Sequence, residues 1–291
     1  MASAPQEMLS RVVDAVGQPA CSNGIAALRF WGQTGERPTV WMAAADPVHL
    51  EAHLDHLRLQ CLWPGEWQDP ELQQLFDELQ AALATNDVIG FMRLRSCGYL
   101  RGDAPMSTAL FSPQTVNGCN PADVLPAGVA AARYQALLSE IQMTLHHSVV
   151  NQGREEQGLR AINSLWIWGG GTASEMCPRE LPPLFADDAV LRGYWLSSAG
   201  EVGRWPDSLD QCVAQAPHGF VAVAPNHGAT AEEYAEKLSE YLRDLRRMLK
   251  HSELRGLTLL FRHGLTARIR PRQIFRVWRR EMPNFHASIS E

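Results

Sequence analysis

Short apolar runs of the strand kind alternate with stretches of helical period along all 291 residues, which restricts the chain to folds that layer helices on a sheet. Residues 25–31 and 39–45 read as strands separated by the turn-rich Gly-Gln-Thr-Gly-Glu-Arg-Pro at 32–38. Leu50, Leu54 and Leu57 fall three or four apart and predict a helix over 49–59, with Asp46 as its cap and Pro47 in its first turn. Helices are predicted over 70–84, on Leu72, Leu75, Phe76, Leu79 and Leu83, and over 130–147, on Tyr134, Leu137, Leu138, Ile141 and Leu145. Strands are expected at 87–95 (with 108–111 as partner), 163–168, 189–198, 220–225 and 257–261. Thr230 and Glu233 have the spacing of a capping box, opening a helix with Leu238, Tyr241, Leu242, Leu245, Met248 and Leu249 on one side. The first 20 residues suit a short helix or an arm, and 262–280 a basic, partly helical tail. The fold class expected is α/β, a mixed sheet with helices packed around it, in one unit whose weakest point for a boundary is near 120–130.

Composition narrows the classes further. An apolar fraction of 45% against 20% charged suits a sizeable core, and no apolar run approaches the ~20 residues that cross a bilayer. The N-terminus lacks a basic stretch followed by an apolar one, so a cytoplasmic chain without a membrane partner is expected. Cysteines 21, 61, 97, 119, 177 and 212 form no Cys-x-x-Cys pair and read as reduced thiols. Net charge is −6, but residues 237–280 hold 13 basic and 3 acidic side chains, leaving the rest strongly acidic. Such a segment suits an anion, an acidic lobe of the same chain, or plain solvation. Few aromatics accompany it, so nucleic acid is not the expected partner.

The densest hydrogen-bonding chemistry lies in residues 140–171. Gln142 and His146, four apart, share a helix face, while Ser164, Trp166 and Trp168 alternate to one side of a strand. Gly169, Gly170 and Gly171 offer backbone amides to a phosphate or carboxylate, although the string matches neither Gly-x-Gly-x-x-Gly nor a P-loop. The candidate ligand site is therefore Gln142, His146, Asn151, Arg154, Glu155, Asn163, Trp166, Gly169, Gly170 and Gly171. Arg154 would pair with an anionic small molecule, and Trp166 would wall the pocket. The competing reading makes the same groups an internal polar network and the glycines a tight turn beside the tryptophans.

A second cluster, Asp46, His49 and His53, has helical spacing that a metal would accept, but Glu51 is one place out of register for His-Glu-x-x-His. Asn226-His227-Gly228 follows a predicted strand, where α/β proteins bind ligands, and also suits a turn before a cap. No Gly-x-Ser-x-Gly elbow occurs, and neither Cys119 nor Cys177 lies in a nucleophile's local sequence. No cofactor and no catalytic residue is indicated.

Asp46-Pro47-Val48-His49-Leu50 with Asp55, then Glu140, Gln142-Met143, Leu145-His146, Asn151, Arg154-Glu155 and Asn163-Ser-Leu-Trp-Ile-Trp-Gly-Gly-Gly171, resemble the proteobacterial RpfE-type regulatory proteins. The family pattern His-x-His-Pro before Val-Asn is here His146-His147-Ser148-Val149-Val150-Asn151. The resemblance implies a regulatory role, with a small ligand or a regulatory protein as partner. Some relatives are described as cofactor-independent phosphoglycerate mutases, which implies an alkaline-phosphatase-like core retained without its metal ligands. Metal-dependent phosphoryl transfer and protein-interaction scaffolding are the alternative functions.

Overall fold

The computed structural model describes residues 5–19, 24–54, 56–63, 65–84, 88–128, 131–206, 208–225, 231–262 and 264–271. Asp55, the 226–228 turn, Thr230 of the expected capping box and the tail from 272 onward lie outside the described residues.

The first half carries α1 (Pro5–Ala15), α2 (Ile25–Thr34), β1 (Trp41–Ala52), β2 (Leu57–Cys61), α3 (Asp69–Leu83), β3 (Val88–Leu94) and β4 (Cys97–Gly102). The second carries α4 (Ala131–His146), α5 (Val149–Glu156), β5 (Ser164–Gly171), β6 (Leu184–Phe185), α6 (Ala189–Ser197), β7 (Val202–Gly203) and α7 (Leu209–Gln215). Then follow β8 (Val221–Ala222), α8 (Ala231–Lys250), β9 (Leu257–Leu260) and β10 (Thr266–Ile269). The mixed α/β class expected from the sequence is the class observed.

The main sheet is antiparallel and centred on β1. Its residues Trp41–Ala44 pair with β4, Val48–Ala52 pair with β2, and Met42–Val48 pair with β5. A strand has two edges, so β4 and β2 follow one another along the edge opposite β5. Pro47, which has no N–H to donate, sits in the stretch where that edge changes partner. Alternation splits the two faces. Ala43, Ala45, Leu165 and Ile167 face the buried stripes of α3 and α4, where Leu72, Leu75, Phe76, Leu79, Tyr134, Ile141 and Leu145 lie. Ala44, Val48, Trp166 and Trp168 face α1, α2 and α6 through Leu9, Ile25, Leu28, Leu191 and Trp195. A small parallel sheet, β7-β6-β8, and the β9–β10 hairpin complete the described strands.

Four expectations are corrected. Residues 25–31 are helical: α2 is buried on nearly every side, between the sheet and α6, so it shows no amphipathic period and reads as a strand-like apolar run. Residues 189–198 are likewise helix α6, whose start is marked by Asp188, its side chain accepting from the Leu191 N–H at 3.0 Å. Gly32 and Gly193 let these two helices touch, since a Cβ on either would overlap the other's backbone. The 49–59 helix is instead the end of β1, a tight turn and β2, so Asp46 is mid-strand and caps nothing. Residues 108–111 run beside β5, through an Ala109–Trp168 bridge, and not beside 87–95. The polar connection after α4 also contains α5, capped by the Ser148 hydroxyl.

Candidate functional site

Asp46 is buried among donors. Its oxygens accept from Arg29 Nη1 at 3.0 and 2.7 Å, from Trp168 Nε1 at 2.8 Å and from the Gly98 N–H at 3.3 Å. Arg29 spends its other donors on the Gly98 carbonyl (2.8 Å) and the Tyr99 hydroxyl (3.1 Å), and its guanidinium lies 4.6 Å from the Tyr99 ring centre. Tyr99 donates in turn to Gln33 Oε1 at 2.7 Å. Burial disfavours the charged guanidinium, yet Asp46, Tyr99 and Cys97 outweigh it and hold Arg29 above its ordinary value. Burial also pushes the Tyr99 phenol up, against the pull of Arg29. The network ties α2, β1, β4 and β5 together.

This arrangement does not fit a dication at Asp46, whose carboxylate already neutralises a guanidinium and accepts two further N–H groups. His49 lies on the opposite face of β1 from Asp46, its Nδ1 2.9 Å from the Ala161 carbonyl. His53 is at the hairpin tip, stacked on His56 with ring centres 5.1 Å apart and 3.4 Å from Glu51. The three candidate ligands are therefore spread along a strand, and among the described residues no group of three or more His, Cys, Asp and Glu side chains could hold a metal ion.

The central block separates into two parts. Asn151 is buried and ties the end of α4 to the segment just before β5: its Nδ2 donates to the Leu145 and Ile162 carbonyls at 2.8 and 3.0 Å, and its Oδ1 accepts from the Ile162 N–H at 2.8 Å. Arg154, 1% exposed, donates to the Arg160 carbonyl (2.8 Å), Glu71 Oε2 (3.0 Å) and the Glu66 carbonyl (2.8 Å). Asn163 exchanges two hydrogen bonds with the Leu50 backbone, at 2.7 and 2.9 Å, extending the β1–β5 ladder by one side chain. Glu155 and His146 are exposed, the latter in edge contact with His147. Gly169–Gly171 belong to β5 and are not a separate loop. Gly169 has φ +63° with its Cα packed under Ile25 and Ala26, and Gly170 donates to Thr108 Oγ1 at 2.9 Å.

Gln142 and Trp166 come together elsewhere. They line a hollow of about 230 Å³ at the Ser164 end of β5. Its walls are Leu50, Leu57, Leu125, Leu138 and Trp166, and its polar groups include Asn120, Gln142 and Ser164, with His56 at the hairpin. Gln142 Nε2 reaches Ser164 Oγ at 3.5 Å, and Trp166 Nε1 is held by the Phe111 carbonyl at 2.8 Å. Ser164 is visible in the strand alternation with Trp166. Asn120, Leu125 and His56 are not, because they arrive from a 3-10 turn at Pro121–Asp123 and from the β1–β2 hairpin, which the sequence presents as loop and helix. Arg29, the partner of Asp46, has a signal of its own: a single arginine inside the apolar run Ile-Ala-Ala-Leu-Arg-Phe-Trp.

No family model matches the chain. The fold is shared with the PH0037 protein of Pyrococcus horikoshii, at a TM-score of 0.51 and 13% identity, covering 86% of this chain and 66% of that one. The 2,3-bisphosphoglycerate-independent phosphoglycerate mutase of Methanosarcina barkeri is 28% identical over 145 residues, 47% of this chain and 36% of the mutase. Its counterpart in Methanosarcina acetivorans is 27% identical over 138 residues, 45% and 34% of the two chains. The chain thus spans about a third of the length of these curated relatives, and over just under half of its own length it is a weak homologue of the cofactor-independent phosphoglycerate mutases.

Proposed function

We propose that the chain is a small-ligand-binding protein with a regulatory role, and that its ligand occupies the hollow between the Ser164 end of β5, α4 and the turn at Pro121. The observation that carries this reading is the meeting of Gln142, Ser164, Asn120 and His56 on otherwise apolar walls, the usual make-up of a small-molecule site. The walls hold no Lys, Arg, Asp or Glu. The ligand suited to them has an apolar body and one end that exchanges hydrogen bonds with amides and a hydroxyl. An anionic ligand would have to do without Arg154, whose donors serve the Glu66–Glu71 segment and the Arg160 carbonyl.

The test is thermal unfolding against a panel of small hydroxy acids, amides and phosphometabolites, on the wild type and on Ala122→Trp. Ala122 is exposed at the rim, so the indole fills the hollow without disturbing the core. A ligand at one hundred times its Kd stabilises the native state by about 2.7 kcal/mol. That gain should vanish in Ala122→Trp while the unliganded melting temperature stays put. Equal stabilisation of both proteins, or of neither, removes the hollow as the ligand site.

Phosphoryl transfer is the second reading and rests on the mutase relatives. Interconversion of 2- and 3-phosphoglycerate by the purified chain in the presence of Mn²⁺ or Mg²⁺ would establish it.

A further inference from the structure

We propose that the ligand of the hollow is a neutral carboxamide carried on a ring-sized apolar body, an inference that rests on reading the hollow as the ligand site. The polar groups there are partly spent, and what they have left defines their complement. Asn120 Oδ1 accepts from the Ala122 N–H at 3.1 Å as the cap of the turn at Pro121–Asp123, so the side chain is left with the two hydrogens of Nδ2 to give. The contact of Gln142 Nε2 with Ser164 Oγ, at 3.5 Å, uses one hydrogen of that pair. Whichever way the Gln142 amide is turned, the two side chains then keep two donor hydrogens and the Gln142 carbonyl oxygen. Trp166 has given its N–H to the Phe111 carbonyl and offers the ligand apolar surface alone. The remainder is rich in donors and holds an amide acceptor. No Lys or Arg lines the walls, and His56, the titratable side chain among them, is exposed and stacked on His53.

A carboxamide answers that remainder group for group. Its carbonyl oxygen has lone pairs for Asn120 Nδ2 and for the Gln142–Ser164 pair, and its N–H has Gln142 Oε1. A carboxylate would give up its hydration to walls without Lys or Arg, and would meet Gln142 Oε1 with no hydrogen to offer. A ketone of the same shape would cover that oxygen and leave it unpaired, which costs more than the bond is worth when made. Size sets the body. The hollow measures about 230 Å³, and an apolar cavity of about 150 Å³ is enough for a benzene ring, so a ring with one short amide arm fills it. Leu50, Leu57, Leu125, Leu138 and Trp166 supply the contact surface for that ring.

The experiment is an NMR titration of the full-length chain with phenylacetamide, phenylacetate and phenylacetone, isosteres that share one ring and differ in the head group. It is run on the wild type, on Ala122→Trp and on Asn120→Asp. The last keeps an oxygen for the Ala122 N–H, and with it the turn, while replacing the Nδ2 donor by an acceptor. Wild type should bind phenylacetamide at least tenfold more tightly than either isostere. Asn120→Asp should weaken that binding at least tenfold with an unchanged circular dichroism spectrum, and Ala122→Trp should abolish it. Equal affinities for the three probes, or wild-type affinity for phenylacetamide in Asn120→Asp, would overturn the carboxamide assignment, and loss of binding in Ala122→Trp would then still keep the hollow as the site. A wild type that binds none of the three also overturns the assignment and leaves the hollow to the wider panel. Phenylacetamide bound as tightly by Ala122→Trp as by wild type removes the hollow and the assignment together.

Discussion

Replacing Asp46 by Asn removes one charge from the centre of the fold and leaves its shape. The amide oxygen of the new side chain can still accept from Trp168 Nε1, so the loss falls on Arg29, which is 8% exposed and keeps its charge without a counter-ion. Breaking a buried ion pair from one side costs about 3–5 kcal/mol. Chains of this size lose about 2–4 °C of melting temperature per kcal/mol, so the expected drop is about 6–20 °C. Removing the second charge as well, in Arg29→Met with Asp46→Asn, takes away the orphan. The double variant should therefore melt well above the sum of the two single losses, with a coupling energy of about 2 kcal/mol or more. Urea denaturation followed by far-ultraviolet circular dichroism measures all four corners of the cycle. An Asp46→Asn protein within 1 kcal/mol of wild type, or strictly additive singles, would refute the view that this carboxylate is a fixed structural counter-charge.

Arg154→Met should cost about 3 kcal/mol by chemical denaturation, since it orphans two carbonyls and the Glu71 carboxylate that also caps α3 through the Gln68 N–H. Gly170→Ala should cost about 1–3 kcal/mol by thermal melting, its new methyl lying 2.7 Å from Trp41 Cζ2 and 2.9 Å from Thr108 Cγ2. Burial pushes the Cys61 and Cys212 thiols up to about 12 and about 11. The unfolded chain then releases these protons first, so stability is full below pH ~9 and falls above it by up to about 1.4 kcal/mol per pH unit and thiol, and a Cys61→Ala, Cys212→Ala protein should show a flatter profile in denaturation at pH 8 to 11.

The amphipathic helices are legible because one face of each is wet: Leu72, Leu75, Phe76 and Leu79 announce α3, and Tyr134, Leu137, Ile141 and Leu145 announce α4. Helices buried on both sides are not, as α2 and α6 show. Their apolar residues run without a period, and only the Asp188 cap and the glycines at 32 and 193 mark them as helical. The hairpin at 49–59 misleads for a different reason. Leu54 is fully exposed at its tip, so the Leu50–Leu54–Leu57 spacing that mimics a helix face includes a residue that packs on nothing. At the candidate site, chemical type is readable and availability is not. Asn151, Arg154 and Asn163 have the chemistry of ligand-binding groups, but the carbonyls that consume them belong to residues 6 to 113 positions away. Gln142 and Trp166, which line the hollow, are marked by nothing more than their neighbours.

The central strand β1 bears on how the chain can be divided. On one edge it takes β2 and β4, both delivered before residue 103; on the other it takes β5, which arrives only at Ser164. A nick in the 103–128 connection would leave one piece with a sheet whose open edge is Met42–Val48, and the other with the strand that closes it. Such pieces are made to find each other, each presenting the other's missing hydrogen-bond ladder and half of the tryptophan-lined core. The same long closure sets the order of assembly, since β1 can form its hairpins early but must wait for the second half of the chain before either face of the sheet is sealed.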